Sequence, residues 1–160
     1  TYTSKLADEI FCNDRGISSG SGYLIEPTYY AIQKRMFDGE WPNLKCIQVN
    51  DKFKMSNQNA KLSYPISLIT TDEVIMSGGA YNKVNKDYYL YDGRYFWTLS
   101  PSCFSSYYSQ SRVWYIHYSG SLLDWVDVTN SFGVRPVINL RADTLITKGD
   151  GSALNPFSVS

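Results

Sequence analysis

Residues 113–140 read VWYIHYSGSLLDWVDVTNSFGVRPVINL, and the reading of the fold turns on them. Val113–Tyr118 and Leu122–Val128 are β-prone runs on either side of Ser119-Gly120-Ser121, so they predict a hairpin. Val134–Leu140 is almost continuously apolar, the pattern of a strand covered on both faces, and is expected at the centre of a sheet. Upstream, Tyr88–Tyr91 and Tyr95–Leu99 flank Asp92-Gly93, a second hairpin signal, with Ser100-Pro101 closing the strand. Downstream, Leu145-Ile146 and Phe157-Ser158-Val159 flank the turn residues Gly149-Asp150-Gly151.

The first half reads differently. Residues 4–11 predict a short helix, with Ser4 as cap, Asp8 and Glu9 early, and Leu6, Ala7, Ile10 and Phe11 on one face. Residues 27–38 predict a second, opened by Pro27 and closed by Gly39, with Tyr29, Ile32 and Met36 in a stripe. Ile66–Ile69 is a short strand, and Thr70 and Glu73 then have the spacing of a capping box for a helix that stops at Gly78-Gly79. Residues 13–22 and 50–61 are loops. Helices first and a mainly antiparallel sheet afterwards predict one α+β domain over 1–160. The chain begins at Thr1 and not at Met, so it is expected to be the C-terminal part of a longer protein.

Composition narrows the function. The 160 residues carry 15 basic and 15 acidic side chains. A net charge of zero provides no field to hold nucleic acid or an anionic bilayer, and no apolar run is long enough to span a membrane. The expected partner is therefore a protein or glycan ligand, with no nucleic acid and no membrane contact. Charged residues make up 19% and aromatic residues 16%, with 14 tyrosines. Tyr-, Ser- and Asn-rich, charge-poor surfaces are those of recognition sites, because Tyr offers large contact area at low entropy cost. The same aromatics also suit strands.

Cys12, Cys46 and Cys103 are the cysteines. No CxxC spacing exists and His117 is the single histidine, so neither a zinc site nor any cofactor is expected. A Cys12–Cys46 disulfide would staple the first third and contribute roughly 3–4 kcal/mol through loop closure. It implies an oxidising, extracellular setting, whereas three free thiols would imply the cytosol.

The usual catalytic constellations are missing. No GxSxG elbow, Walker loop or GxGxxG appears. His117 lies within a strand run, Asp124 and Asp127 are three apart on another, which places them on opposite faces, and Cys103 has no evident partner to activate it. No enzyme is expected and no catalytic residue is assigned.

What stands out is 102–131, crowded with Tyr, Trp and Ser. Its strands are too aromatic on both faces for one core, so some rings must meet solvent or a partner. Val113, Ile116, Val126 and Val128 are expected inside. The candidate ligand-binding residues are Cys103, Ser105, Ser106, Tyr107, Tyr108, Ser109, Trp114, Tyr115, His117, Tyr118, Asp124, Trp125, Asp127 and Asn130. Alternation turns some of them inward, and Arg135, within an apolar strand, must find a partner.

Two motifs carry a resemblance. Tyr95-Phe96-Trp97-Thr98-Leu99-Ser100-Pro101 and Gly133-Val134-Arg135-Pro136-Val137-Ile138-Asn139-Leu140 resemble a surface- and phage-associated domain family of Firmicutes, with W-x-L-S-P and G-V-R-P-V-x-N-L strands. Phe11–Arg15, Leu68–Val74 and 149–156 are similar to the same family. It has no defined activity to transfer. The G-x-R-P strand also resembles the closing strand of the C-type lectin fold, of the formylglycine-generating-enzyme type. The resemblance implies a C-type-lectin-like fold, as in the variable proteins of diversity-generating retroelements, which display residues mutated at adenine codons as a binding face. On that basis 103–131 would be a diversified ligand-recognition face of an extracellular, cell-surface or phage-particle protein, with Gln110 and the tryptophans constant. The alternatives are a structural or subunit-interface module of an appendage or phage tail, and a redox enzyme using Cys103.

Overall fold

The computed structural model describes residues 2–23, 26–39, 41–105, 110–152 and 154–160. Its elements in chain order are β1 (Phe11–Cys12), β2 (Ile17–Ser19), β3 (Thr28–Tyr30), α1 (Ala31–Asp38), β4 (Lys52–Phe53), β5 (Ile66–Leu68), α2 (Thr71–Met76), β6 (Ala80–Tyr81), β7 (Phe96–Ser105), β8 (Gln110–Ile116), β9 (Ser121–Leu123), β10 (Pro136–Ile138), β11 (Ile146–Lys148) and β12 (Ser158–Val159). Single 3-10 turns occupy Tyr2–Lys5 and Val49–Asp51.

One six-stranded sheet, in the order β2-β3-β7-β8-β9-β6, dominates. Its pairs are antiparallel except β6 with β9, which run parallel. The pairs β1–β4, β5–β10 and β11–β12 lie outside it. The architecture is thus a mostly β, curled mixed sheet with little helix. The expected α+β, C-type-lectin-like fold with N-terminal helices is corrected accordingly.

The N-terminal differences have local causes. Residues 4–11 form no α-helix beyond the 3-10 turn. Ala7 donates its N–H to the Asn139 carbonyl at 2.8 Å, Leu6 bridges Leu140, and Phe11 pairs with Phe53. A segment this short cannot hold a helix against such pairing. The helix expected over 27–38 begins only at Ala31. Thr28-Tyr29-Tyr30 is instead strand, wedged between β2 and β7, where a β-branched residue and two aromatics fit. Gly39 does end α1 in the left-handed region at φ 70°. The capping box also forms, with Thr70 Oγ1 accepting from the Glu73 N–H and the Glu73 carboxylate accepting from the Thr70 N–H.

In the second half, the turn at 119–121 forms as expected. His117 donates its N–H to the Ser121 carbonyl at 2.9 Å and β8 pairs with β9. Gly120, at φ 83°, is obligatory there, because a Cβ would stand 1.7 Å from the Asn85 carbonyl oxygen. Ile146–Lys148 and Ser158–Val159 also pair.

The hairpin expected over 88–99 does not form. Residues 88–91 are a turn, Tyr88 sinks into the core, and only Phe96 onward is strand. Ser100-Pro101 does not end that strand. Register shifts on both sides of Pro101 carry the chain through to Ser105, since a bulge accommodates a residue without an N–H. Nor is Val134–Leu140 central. β10 is three residues long, pairs only with β5, and Val134 is 69% exposed. Pro136 suits such an edge. Arg135 is satisfied by the Leu90 carbonyl and the Asp92 carboxylate, and its guanidinium lies 4.4 Å from the Phe96 ring centroid.

The core lies where α1 and α2 meet one face of the sheet. Ile32 and Met36 from α1, Val74 from α2 and Ile69 before it meet Phe96, Trp114, Ile116 and Leu122.

Candidate functional site

Along β8, Gln110, Arg112, Trp114 and Ile116 share one face, since alternate residues of a strand do. Their partners on β7 differ along its length. Phe96 faces Ile116, but farther on Cys103 faces Arg112 and Ser105 faces Gln110. The apolar pair is core. The small and polar pairs leave a groove of about 500 Å³. Gln33 and Phe37 of α1, with Pro27 and Tyr29, form one wall. Cys103, Ser105, Gln110 and Arg112 form the floor, and Tyr81, Asp124 and Trp125 close the far end. Trp114 lies behind this site, edge-on to Phe37 at 6.3 Å and to Tyr81 at 5.5 Å.

Asp124 is the buried carboxylate of the groove. Its Oδ2 accepts from Ser102 Oγ at 2.9 Å and from Gln33 Nε2 at 3.3 Å. Burial raises its pKa, against the opposing pull of Ser102 and Arg112. Burial also pushes the Cys103 thiol up, only partly countered by Arg112, which is the reverse of what a nucleophilic thiolate needs. Burial and then the Asp124 charge raise the Tyr81 phenol.

Three buried polar atoms of the lining have no partner: Gln33 Oε1, Ser105 Oγ and Arg112 Nε. A fourth, Asp127 Oδ1, belongs to the residue bridged to Arg112. An unpaired buried donor or acceptor costs ~1–3 kcal/mol. Unpaired buried atoms also occur away from the groove, at Asn13, Arg35, Tyr88 and Trp114.

The other face of the hairpin carries a separate aromatic cluster. Phe132 stacks on Tyr95 at 4.8 Å and lies 4.6 Å from Trp97 and 5.1 Å from Tyr115. His117 and Tyr118 add to its end, 4.9 and 5.4 Å from Tyr95. His117 Nδ1 accepts from the Ser119 N–H at 3.2 Å, which ties the imidazole to its turn.

The sequence-nominated residues are thus divided. Cys103, Ser105, Asp124 and Trp125 meet in the groove. Trp114 is wholly buried in the core and offers no surface. Tyr115, His117 and Tyr118 belong to the opposite cluster, where Tyr115 is buried and Tyr118 exposed. Asp127 stands behind Arg112, and Asn130 is exposed in a turn, its side chain donating to the Asp127 carbonyl. Ser106, Tyr107, Tyr108 and Ser109 lie outside the described residues. Sequence reading missed Tyr29, Gln33, Phe37 and Tyr81, as well as Gln110 and Arg112. A usable signal existed: Tyr29, Gln33 and Phe37 recur every four residues, beside the Ile32/Met36 stripe.

Cys12 and Cys46 form a disulfide, with Cα atoms 5.5 Å apart, a linkage that persists in oxidising compartments. Cys103 is the free cysteine. Among the described residues there is no cluster of three or more side chains able to hold a metal ion. None of their helices is long and apolar enough to cross a membrane. The sequence model of one family, described as a domain of unknown function (DUF6273), matches residues 33–142. Neither the curated proteins nor the solved structures contain a match to the chain.

Proposed function

The chain belongs to the DUF6273 family, which brings no activity with it, and we propose that it is a ligand-recognition domain working outside the cytosol, with its ligand seated in the groove between α1 and the far end of β7–β8. The observation that carries this reading is the groove itself, about 500 Å³, which Gln33, Cys103, Ser105, Gln110, Arg112 and Asp124 line together with aromatic side chains. The exposed rings of Trp125 and Phe37 at its margin supply apolar contact. The disulfide supports the oxidising setting. The raised Cys103 thiol favours binding over redox chemistry.

The test is a thermal-shift screen of the protein against small-molecule and oligomer libraries, repeated on Ser105→Ala. Ligands that raise the midpoint of the native protein and lose their effect in Ser105→Ala are expected. Hits indifferent to that change would move the site elsewhere.

A second reading, an interface module, has its own observation. The accessible surface is 10087 Å² for a mass of 18.2 kDa, where a monomer of this size exposes about 8,100 Å². Trp41, 90% exposed, contributes to the excess. Sedimentation equilibrium separates the readings: a stable oligomer favours the interface, and a monomer at high concentration favours the receptor.

A further inference from the structure

Resting on the second reading above, the interface module, we infer that two copies of this chain pair through the outer edge of β12, so that each β11–β12 hairpin becomes half of a four-stranded sheet. The open edge, the side chains along it and the surface available all bear on this.

Among the described residues, β11 and β12 pair only with each other. A lone two-stranded hairpin is marginal in water, and a sheet gains stability from three or more strands with an apolar face. Leu145 and Ser160 exchange both backbone hydrogen bonds, at 3.4 and 3.0 Å, which turns the Ser160 N–H and C=O towards β11. Backbone groups alternate in direction along a strand, so those of Val159 and Phe157 face the free edge. Nothing along Phe157–Ser160 guards that edge. Residues 151–160 carry no charged side chain, and the last four include no Pro, whereas protected edges use Lys, Pro or a bulge. The opposite edge of the hairpin is guarded: β11 carries Lys148 and an irregularity between Ile146 and Lys148.

The occupant is a second copy because the edge is its own complement. Antiparallel pairing about Ser158 sets Phe157 opposite the partner's Val159, and Val159 opposite the partner's Phe157. Aromatic and β-branched residues make favourable cross-strand pairs, and here each pair exchanges both N–H···O=C bonds. With no charge in the strand, the two-fold axis brings no like charges together. Ile146 lies opposite Val159 within the hairpin, so Ile146, Phe157 and Val159 share one face. Ile146 and Phe157 are 60% and 52% exposed, and the pairing joins the two apolar faces into one. The area suffices. The surface of 10087 Å² exceeds a monomer's about 8,100 Å² by more than the ~800 Å² that each partner gives to a standard interface. Neither β11 nor β12 lines the groove, so its ligand test is independent of this one.

The experiment is sedimentation equilibrium on the native chain and on Val159→Pro, Phe157→Lys and Leu154→Lys. The proline removes an N–H that β11 does not use. The lysine at 157 puts a charge into the apolar face, and Leu154 lies between the strands of the hairpin, off the paired edge. The expected result is a reversible dimer whose dissociation constant rises tenfold or more in the first two variants and is unchanged in the third. All three should keep the native unfolding midpoint to within a few degrees. Air oxidation of Ser158→Cys tests the register. At the two-fold axis the two residues form a non-hydrogen-bonded pair, with Cα atoms about 4.5 Å apart, within reach of a disulfide. A covalent dimer is expected, where the native chain with the same Cys103 gives none. A dimer indifferent to Val159→Pro and Phe157→Lys overturns the assignment of this edge and leaves the interface reading standing. A dimer that depends on them, while Ser158→Cys forms no cross-link, overturns the self-pairing about Ser158. A monomer at every concentration overturns this inference and the interface reading together.

Discussion

The β7–β8 hairpin has two ends that share one face and do opposite work. At 96–98 and 114–116 the face is closed: Phe96, Trp114 and Ile116 fill the space beneath the helices. At 103–105 and 110–112 the same pair of strands meets no such filling, and Cys103, Ser105, Gln110 and Arg112 border a groove. Both ends are antiparallel and both lie near α1. Side-chain volume and polarity make the difference, and the register shifts around Pro101 mark where one regime gives way to the other. The comparison teaches that a groove can be a core left unfinished by composition.

The largest test of this contrast is Trp114→Ala at the closed end. It should cost ~3–5 kcal/mol, measured by urea unfolding, and should weaken ligand binding because Phe37 and Tyr81 lean on that ring. A loss below about 1 kcal/mol would show that the closed end is not the core. Next is the staple. Replacing Cys12 and Cys46 together by Ser should cost ~2–5 kcal/mol in the same assay. The loop it closes contains all of α1, so the groove wall should loosen as well, seen as faster amide exchange in 31–38.

A smaller effect, confined in pH, belongs to Asp124. Its carboxyl is held above the ordinary 3.8 by burial, against the opposing pull of Ser102 and Arg112. The folded chain therefore keeps this proton to higher pH than the unfolded chain does. The stabilisation this confers is complete below 3.8 and is lost as pH rises through the folded value. In Asp124→Asn that loss is absent, so stability curves of the two proteins should diverge in favour of the variant across this window. Parallel curves would mean Asp124 is not buried. The smallest effect is Ser105→Ala. Removing an unpaired hydroxyl should leave stability within ~1 kcal/mol of native or slightly raised, while binding falls. A clear destabilisation would mean that the hydroxyl has a partner and the open end is as finished as the closed one.

Much of the local structure was legible. Thr70 and Glu73 predicted their capping box, Ser119-Gly120-Ser121 its turn, and Arg135 its need for partners, because each signal is answered within a few residues or by one unavoidable polar demand. The Cys12–Cys46 pairing was legible for a similar reason: with three cysteines the choices are few. Two strong patterns failed. Asp92-Gly93 does turn, with Asp92 Oδ1 accepting from the Arg94 N–H, but Tyr88 gains more as a core residue than as a strand opposite Tyr95 and its neighbours. Val134–Leu140 looked central because it is apolar, yet Pro136 and the anchored Arg135 hold it at an edge. Within the site, Asp124 and Trp125 were nominated for their residue types. Tyr29, Gln33 and Phe37 were not: their four-residue spacing sets them apart from the Ile32/Met36 stripe, but the spacing alone does not say that Tyr29 of β3 and the outer face of α1 border a groove.

What the sequence by itself determined is the set of short-range commitments: turns, caps, the disulfide pair and the surplus of aromatic residues. Those follow from backbone geometry and composition, which act over a few residues at a time. The tertiary structure alone decided which surplus rings form the core, which form the outer cluster and which border the groove. It also decided which polar atoms are buried without partners. That division depends on the strand order of the six-stranded sheet, which brings residue 33 beside residue 124, and burial is a property of what lies opposite in space.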